Sequence, residues 1–145
     1  MNDEMQLTNQ LCFSVYNANR LFSRFYQQAL EPFKLTYPQY LVLLALWQRD
    51  EQSLHELGAD LNLNSNTLTP LLKRLENAGW VTRIHPASDR RQLQLRLTPF
   101  AKAHQEPIYE AINKCVSQQQ LDVEKYKEAL AVNNELIEAL TKTLA

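Results

Sequence analysis

The side chains best able to do chemistry in this 145-residue chain are its two cysteines. Cys12 lies in NQLCFSVYNANR, an apolar amphipathic run with Tyr16 four places later, and Cys115 lies in AINKCVSQQQ. A cysteine in such a run has two readings. It is a small hydrophobe that fills a core, or it reacts as a thiolate with an electrophile such as a peroxide oxygen. Residues four apart on a helix share a face, so Tyr16 is placed beside Cys12. A phenol that donates to a thiolate stabilises the charged, reactive form. The cysteines lack zinc-ligand spacing, and His55, His85 and His104 are scattered, so neither a metal nor another cofactor is expected.

A second group of residues points to nucleic acid. Ser65, Asn66, Thr67 and Thr69 are short hydrogen-bonding side chains in one run, with Lys73 and Arg74 following and Asp89, Arg90 and Arg91 further on. Side chains of this kind reach base edges and phosphates. The formal net charge is −1, yet residues 62–98 carry +4 while residues 1–61 carry −3 and residues 99–145 carry −2. Basic charge gathered in one segment is the footprint of a protein that binds a polyanion. Residue by residue, helix capping and solvated turn charges explain the same side chains equally well.

The elements that position these residues can be read from periodicity. With 45% hydrophobic residues and only two glycines, the composition favours helix. Residues 5–30 carry Leu7, Leu11, Val15, Phe22 and Phe25 at helical spacing, which predicts one long amphipathic helix. Thr36 with Gln39, and Ser53 with Glu56, are capping-box pairs that open a nearly all-apolar second helix and a short third one. A fourth helix carries Leu68, Leu71, Leu72 and Leu75 and stops at Gly79. Pro70 implies either that it begins late, near Asn66 or Thr67, or that its opening turn is distorted. WVTRI and LQLRL alternate around the turn-rich HPASDRR and predict a β-hairpin. Two more helices follow, over 99–119 and 121–144. No apolar run approaches the length of a membrane span and no signal peptide is evident, so a cytoplasmic location is expected.

Helix, tight turn, helix and hairpin is the order of a winged helix-turn-helix, whose second helix enters the major groove of double-stranded DNA. Arg90 and Arg91 at the hairpin tip would suit a minor groove, with Asp89 orienting one of them. Residues 54–98 resemble the winged helix of MarR-family transcription regulators, including the wing pattern formed by Asp89, Arg91, Leu95, Leu97 and Thr98. The resemblance covers nearly the whole chain. It implies a mostly α fold with a small β-hairpin wing, set inside an intertwined helical homodimer. Residues 1–145 would then be a single domain, with DNA binding by 36–98 (the wing at about 80–98) and dimerisation helices in 1–35 and 99–145. Two reading helices related by a two-fold axis require a pseudo-palindromic operator.

The N-terminal half is similar to the organic-hydroperoxide repressor branch of that family. In that branch a cysteine on the first helix senses peroxide and is supported by tyrosines four, fourteen and twenty-five positions later, which here are Tyr16, Tyr26 and Tyr37. Fourteen residues of continuous helix rise about 21 Å, so Tyr26 meets Cys12 only across a dimer unless the helix breaks between them. The resemblance implies such crossing. It also implies one of two fates for oxidised Cys12, an intersubunit disulfide with a second cysteine, for which Cys115 is in the right region, or capture by a small thiol. The expected function is a repressor that leaves its operator when organic hydroperoxide oxidises Cys12, and not an enzyme. The alternatives are release by a small aromatic ligand with Cys12 as bystander and, less favoured, a thiol peroxidase.

Overall fold

The computed structural model describes residues 3–87, 92–117 and 122–145. It contains two compact units, Met1–Ile112 and Asn113–Ala145. In the first, two 3-10 turns (Asp3–Met5 and Leu7–Asn9) precede helix α1 (Leu11–Leu30), and a third (Glu31–Phe33) leads to α2 (Tyr37–Gln48). Strand β1 (Gln52–Ser53), helices α3 (Leu54–Leu61) and α4 (Ser65–Asn77), strands β2 (Val81–Ile84) and β3 (Gln94–Leu97), and helices α5 (Pro99–Ala103) and α6 (Gln105–Ser117) follow, the first unit ending within α6 at Ile112. Helix α7 (Val123–Leu144) belongs to the second unit. Among the described residues no helix is long and apolar enough to cross a membrane.

Helix α2 lies at the centre because its sequence leaves it little polar surface. Val42, Leu43 and Leu46 are fully buried, and Leu30, Leu57, Leu68, Leu75, Val81, Leu95 and Ile108 join them in the core. Both capping boxes form: Thr36 and Gln39 start α2, and Ser53 and Glu56 start α3. The end of α2 is closed by a buried amide. Gln52 Nε2 donates to the carbonyl of Ala45 (3.0 Å), which also accepts from Arg49 N, and to that of Arg49 (2.7 Å), just past the helix end. Along α2, Tyr40 packs among Tyr26, Tyr37 and Trp47, and Trp47 in turn meets Tyr109 and donates from Nε1 to the Ala101 carbonyl.

Several elements differ from the sequence expectations. The first helix starts at Leu11 and not near residue 5, because the backbone at Gln10 is extended and the chain before it coils into 3-10 turns. Helix α4 begins at Ser65, earlier than Pro70 suggested. The side chain of Asn64 accepts from Thr67 N and starts the helix there, so Pro70 sits inside it and has no N–H to offer the Asn66 carbonyl. The wing is not a bare hairpin. Gln52 pairs with Leu95 and Ser53 with Gln94, making a three-stranded antiparallel sheet in the order β1-β3-β2. The helix expected over 99–119 breaks at His104, since Pro107 cannot donate to the Ala103 carbonyl one turn back. Gly79 does end α4, at φ +85°.

Two predictions follow from this packing. A Cβ on Gly58 would stand 2.8 Å from the Leu63 carbonyl oxygen in the α3–α4 turn. Ala is worth about 1 kcal/mol over Gly inside a helix, but forced backbone shifts cost about 1–3 kcal/mol. Gly58→Ala should therefore lower the urea midpoint, against helix propensity. Burial pushes the Tyr40 hydroxyl up from 10.0 to about 12, and the phenols of Tyr26, Tyr109 and Tyr37 add to the effect. The folded state keeps this proton where the unfolded chain has lost it, so its contribution to stability is complete below pH 10 and is lost as pH rises toward 12. Tyr40→Phe should flatten the fall in thermal midpoint over that window.

Candidate functional site

Helices α3 and α4 are joined by a short turn in which Asn62 takes the left-handed conformation that asparagine tolerates. Helix α4 turns Leu68, Leu71, Leu72 and Leu75 into the core, so the rest of its surface faces outward. Ser65, Asn66, Thr67, Thr69, Lys73 and Arg74 are all exposed. The capping explanation for this cluster falls to Asn64, whose Oδ1 lies 3.0 Å from Thr67 N. That leaves the side chains of Ser65, Asn66 and Thr67 without the cap duty that would account for them. Sequence reading passed over Asn64, although an asparagine three places before Thr67 is itself a capping signal.

The basic footprint is smaller than the charge count suggested. Arg83 pairs with Glu76 at 3.1 Å, and Arg96 pairs with Glu51 at 2.9 Å, so two of the cations in residues 62–98 are neutralised within the fold. Lys73 and Arg74 form no ion pair among the described residues. Asp89, Arg90 and Arg91 lie outside the described residues. Where the hairpin resumes, His85 Nδ1 stands 3.0 Å from the Gln92 carbonyl oxygen.

The break at Gln10 changes the setting of Cys12. It is now the second residue of α1, in the first turn of the helix. Cys12 is exposed, and its thiol donates to Gln10 Oε1 at 3.6 Å. Gln10 Nε2 donates to the Glu4 carbonyl (3.1 Å), and Asn9 Nδ2 to the Asp3 carbonyl (2.7 Å), so the preceding turns are tied to the helix start. Sequence reading did not single out Gln10. Tyr16 follows one turn after Cys12 and is exposed, with the Arg20 guanidinium 6.0 Å from its ring centre.

Tyr26 and Tyr37 are brought together, with rings stacked at 4.7 Å and 27°. They lie at the far end of α1 from Cys12. The helix is continuous from Leu11 to Leu30, so the rise between residues 12 and 26 is about 21 Å. Cys12 and Tyr16 thus lie one turn apart near the start of α1, while Tyr26 near its end is stacked on Tyr37. Cys115 lies in the second unit, half-buried, and both cysteines are free. Among the described residues no three His, Cys, Asp or Glu side chains are grouped to hold a metal. On α1, Leu11, Val15, Tyr16, Leu21 and Phe22 are exposed. On α7, Tyr126, Leu130, Ile137, Leu140 and Leu144 are exposed at three-, four- and seven-residue steps.

Comparison with known proteins identifies this arrangement. The MarR family model matches residues 35–93. The chain is 50% identical over 97 residues to the HTH-type transcriptional regulator TtmR of Methylorubrum extorquens, a match over 67% of this chain and 50% of that protein. It is 43% identical over 96 residues to the organic hydroperoxide resistance transcriptional regulator of Bacillus subtilis, over 66% of this chain and 65% of that one. The chain therefore spans half the length of the first relative and just under two thirds of the second. With the HTH-type transcriptional regulator MgrA of Staphylococcus aureus it shares 33% identity over 144 residues, 99% of this chain and 98% of the relative. Reduced AbfR bound to DNA superposes with a TM-score of 0.89 at 46% identity, covering 99% of both chains. Disulfide-formed AbfR gives 0.68 at 47% identity, covering 98% of this chain and 94% of that one. AbfR is a protein of Staphylococcus epidermidis. By its 33% identity to MgrA over nearly the full length of both chains and the matched segment 35–93, the chain belongs to the MarR family of transcription regulators.

Proposed function

We propose that this protein is a homodimeric repressor that binds a pseudo-palindromic operator in its reduced state and leaves it when organic hydroperoxide oxidises Cys12. The observation that carries the reading is the separation of an exposed Cys12 from the stacked Tyr26–Tyr37 pair along one uninterrupted helix that leaves Leu11, Val15, Leu21 and Phe22 exposed. A second copy crossing α1 covers those side chains and brings the tyrosines of one chain to the cysteine of the other. The exposed apolar positions of α7 belong to the same dimer interface, so residues 1–35 and 99–145 are the dimerisation segments. Residues 36–98 bind DNA. The uncommitted side chains of Ser65, Asn66, Thr67 and Thr69 read base edges, Lys73 and Arg74 hold phosphates, and Arg90 and Arg91, oriented by Asp89, enter the minor groove.

In the chemical step, the Cys12 thiolate attacks the terminal oxygen of the hydroperoxide. The O–O bond breaks, the alcohol leaves with a proton, and Cys12 becomes a sulfenic acid. The Cys115 thiol of the other subunit then attacks that sulfur, forming a disulfide and releasing water. The disulfide moves the sensor helices and changes the separation of the two reading helices, which no longer fit both half-sites. Support for disulfide formation, as distinct from oxidation alone, as the decisive step comes from AbfR, which is described on DNA both reduced and overoxidised and also in a disulfide form. This chain is more like the reduced, DNA-bound form than the disulfide form.

The test is operator binding with and without cumene hydroperoxide. Wild type should release the duplex, and Cys12→Ser should bind it and hold it. Undiminished release by Cys12→Ser contradicts the reading, and release by an aromatic ligand under reducing conditions favours the ligand-controlled alternative. On a non-reducing gel, peroxide should give a linked dimer for wild type and none for Cys115→Ser.

A further inference from the structure

Glu51 occupies a backbone conformation that its residue type does not favour. Its φ is +58°, in the left-handed region that glycine adopts freely and a residue with a Cβ does not. A non-glycine residue held there points to a use for its side chain. The use is visible in the sheet. Strand β1 pairs Gln52 with Leu95 and Ser53 with Gln94. Extending that register places Glu51 opposite Arg96 and Asp50 opposite Leu97, but the left-handed turn at Glu51 takes the backbone out of the ladder. The two carboxylates replace it. Asp50 Oδ1 accepts from Leu97 N at 2.9 Å, the bond a strand carbonyl would otherwise make, and also from Glu51 N at 2.8 Å. Glu51 Oε1 accepts from Arg96 Nε at 2.9 Å, and Arg96 Nη2 lies 2.9 Å from the same oxygen as its ion pair. Lys102 Nζ lies 3.9 Å from Asp50 Oδ2.

Strand β3 is the middle strand and the returning arm of the wing, so this corner sets the angle at which the hairpin leaves the body. The outer arm is tied by Arg83 to Glu76 on α4. The hairpin is therefore braced on one edge to the reading helix and on the other to the end of α2, whose carbonyls Gln52 holds. We infer that Glu51, with Asp50, is a positioning residue for DNA binding: it fixes the wing relative to α4 so that both reach the duplex together. This rests on the proposed DNA-binding function.

Glu51→Gly gives a sharp test, because glycine suits the backbone and the change also removes a negative charge and frees Arg96. Charge alone predicts tighter binding with a steeper salt dependence. Positioning predicts the reverse. On a duplex selected by the wild-type protein from a randomised pool, Glu51→Gly should bind about tenfold more weakly, the order of one lost groove contact. The slope of log affinity against log salt should become shallower by about one. The thermal midpoint should stay within about 3 °C, since an exposed ion pair contributes little and the left-handed strain is relieved. In an Arg91→Ala background the loss should shrink, whereas in a Lys73→Ala background it should persist in full. Equal or tighter binding with an unchanged or steeper slope overturns the inference. A wild-type protein that selects no duplex overturns the DNA-binding function beneath it, and the two failures are told apart by that first step.

Discussion

The burial of α2 is the constraint on which the rest of the structure depends. With Val42, Leu43 and Leu46 fully enclosed, this helix cannot tilt without opening the core, and both ends are fastened to regions with other tasks. Its first turn carries Tyr37, stacked on Tyr26 of α1, and its last turn is closed by Gln52 and continues into the Asp50–Glu51 corner that holds the wing. Close-packed interiors transmit displacement, as a loose one would not. A displacement at the Tyr26–Tyr37 stack therefore has a rigid route to the hairpin.

The second constraint is the straightness of α1. Twenty residues of uninterrupted helix keep Cys12 and Tyr26 at opposite ends, so one copy of the chain cannot assemble the tyrosine-supported thiol that the sequence suggests. The same helix buries only Ala29 and Leu30. The separated cysteine and an exposed apolar face lie on one element, and the proposed pairing with another copy would answer to both.

Much of this was legible in the sequence where local signals agree with packing. Thr36 with Gln39 and Ser53 with Glu56 marked two helix starts because a capping box is complete within four residues. The leucines of α4 marked its buried face, and therefore its exposed one. What escaped depends on partners distant in the chain. Strand β1 is two residues long and exists only because β3 lies beside it. The pairing of Arg83 and Arg96 with Glu76 and Glu51 was hidden from a charge count, which cannot distinguish a cation facing a phosphate from one already neutralised. The break at Gln10 was missed because Leu7 and Leu11 keep helical spacing across it, and spacing alone does not report an extended backbone. That break moves Cys12 from mid-helix to a helix start.

The central claim is that the thiol of one chain is served by the tyrosines of another, and mixed dimers test it directly. Cys12→Ser chains paired with Tyr26→Phe, Tyr37→Phe chains contain one reactive Cys12, which faces intact tyrosines only if support comes from the partner. The measurement is the rate at which cumene hydroperoxide oxidises that Cys12. The rate should be close to that of a dimer in which one chain is wild type and the other is Cys12→Ser. A rate as slow as that of the Tyr26→Phe, Tyr37→Phe homodimer would contradict it.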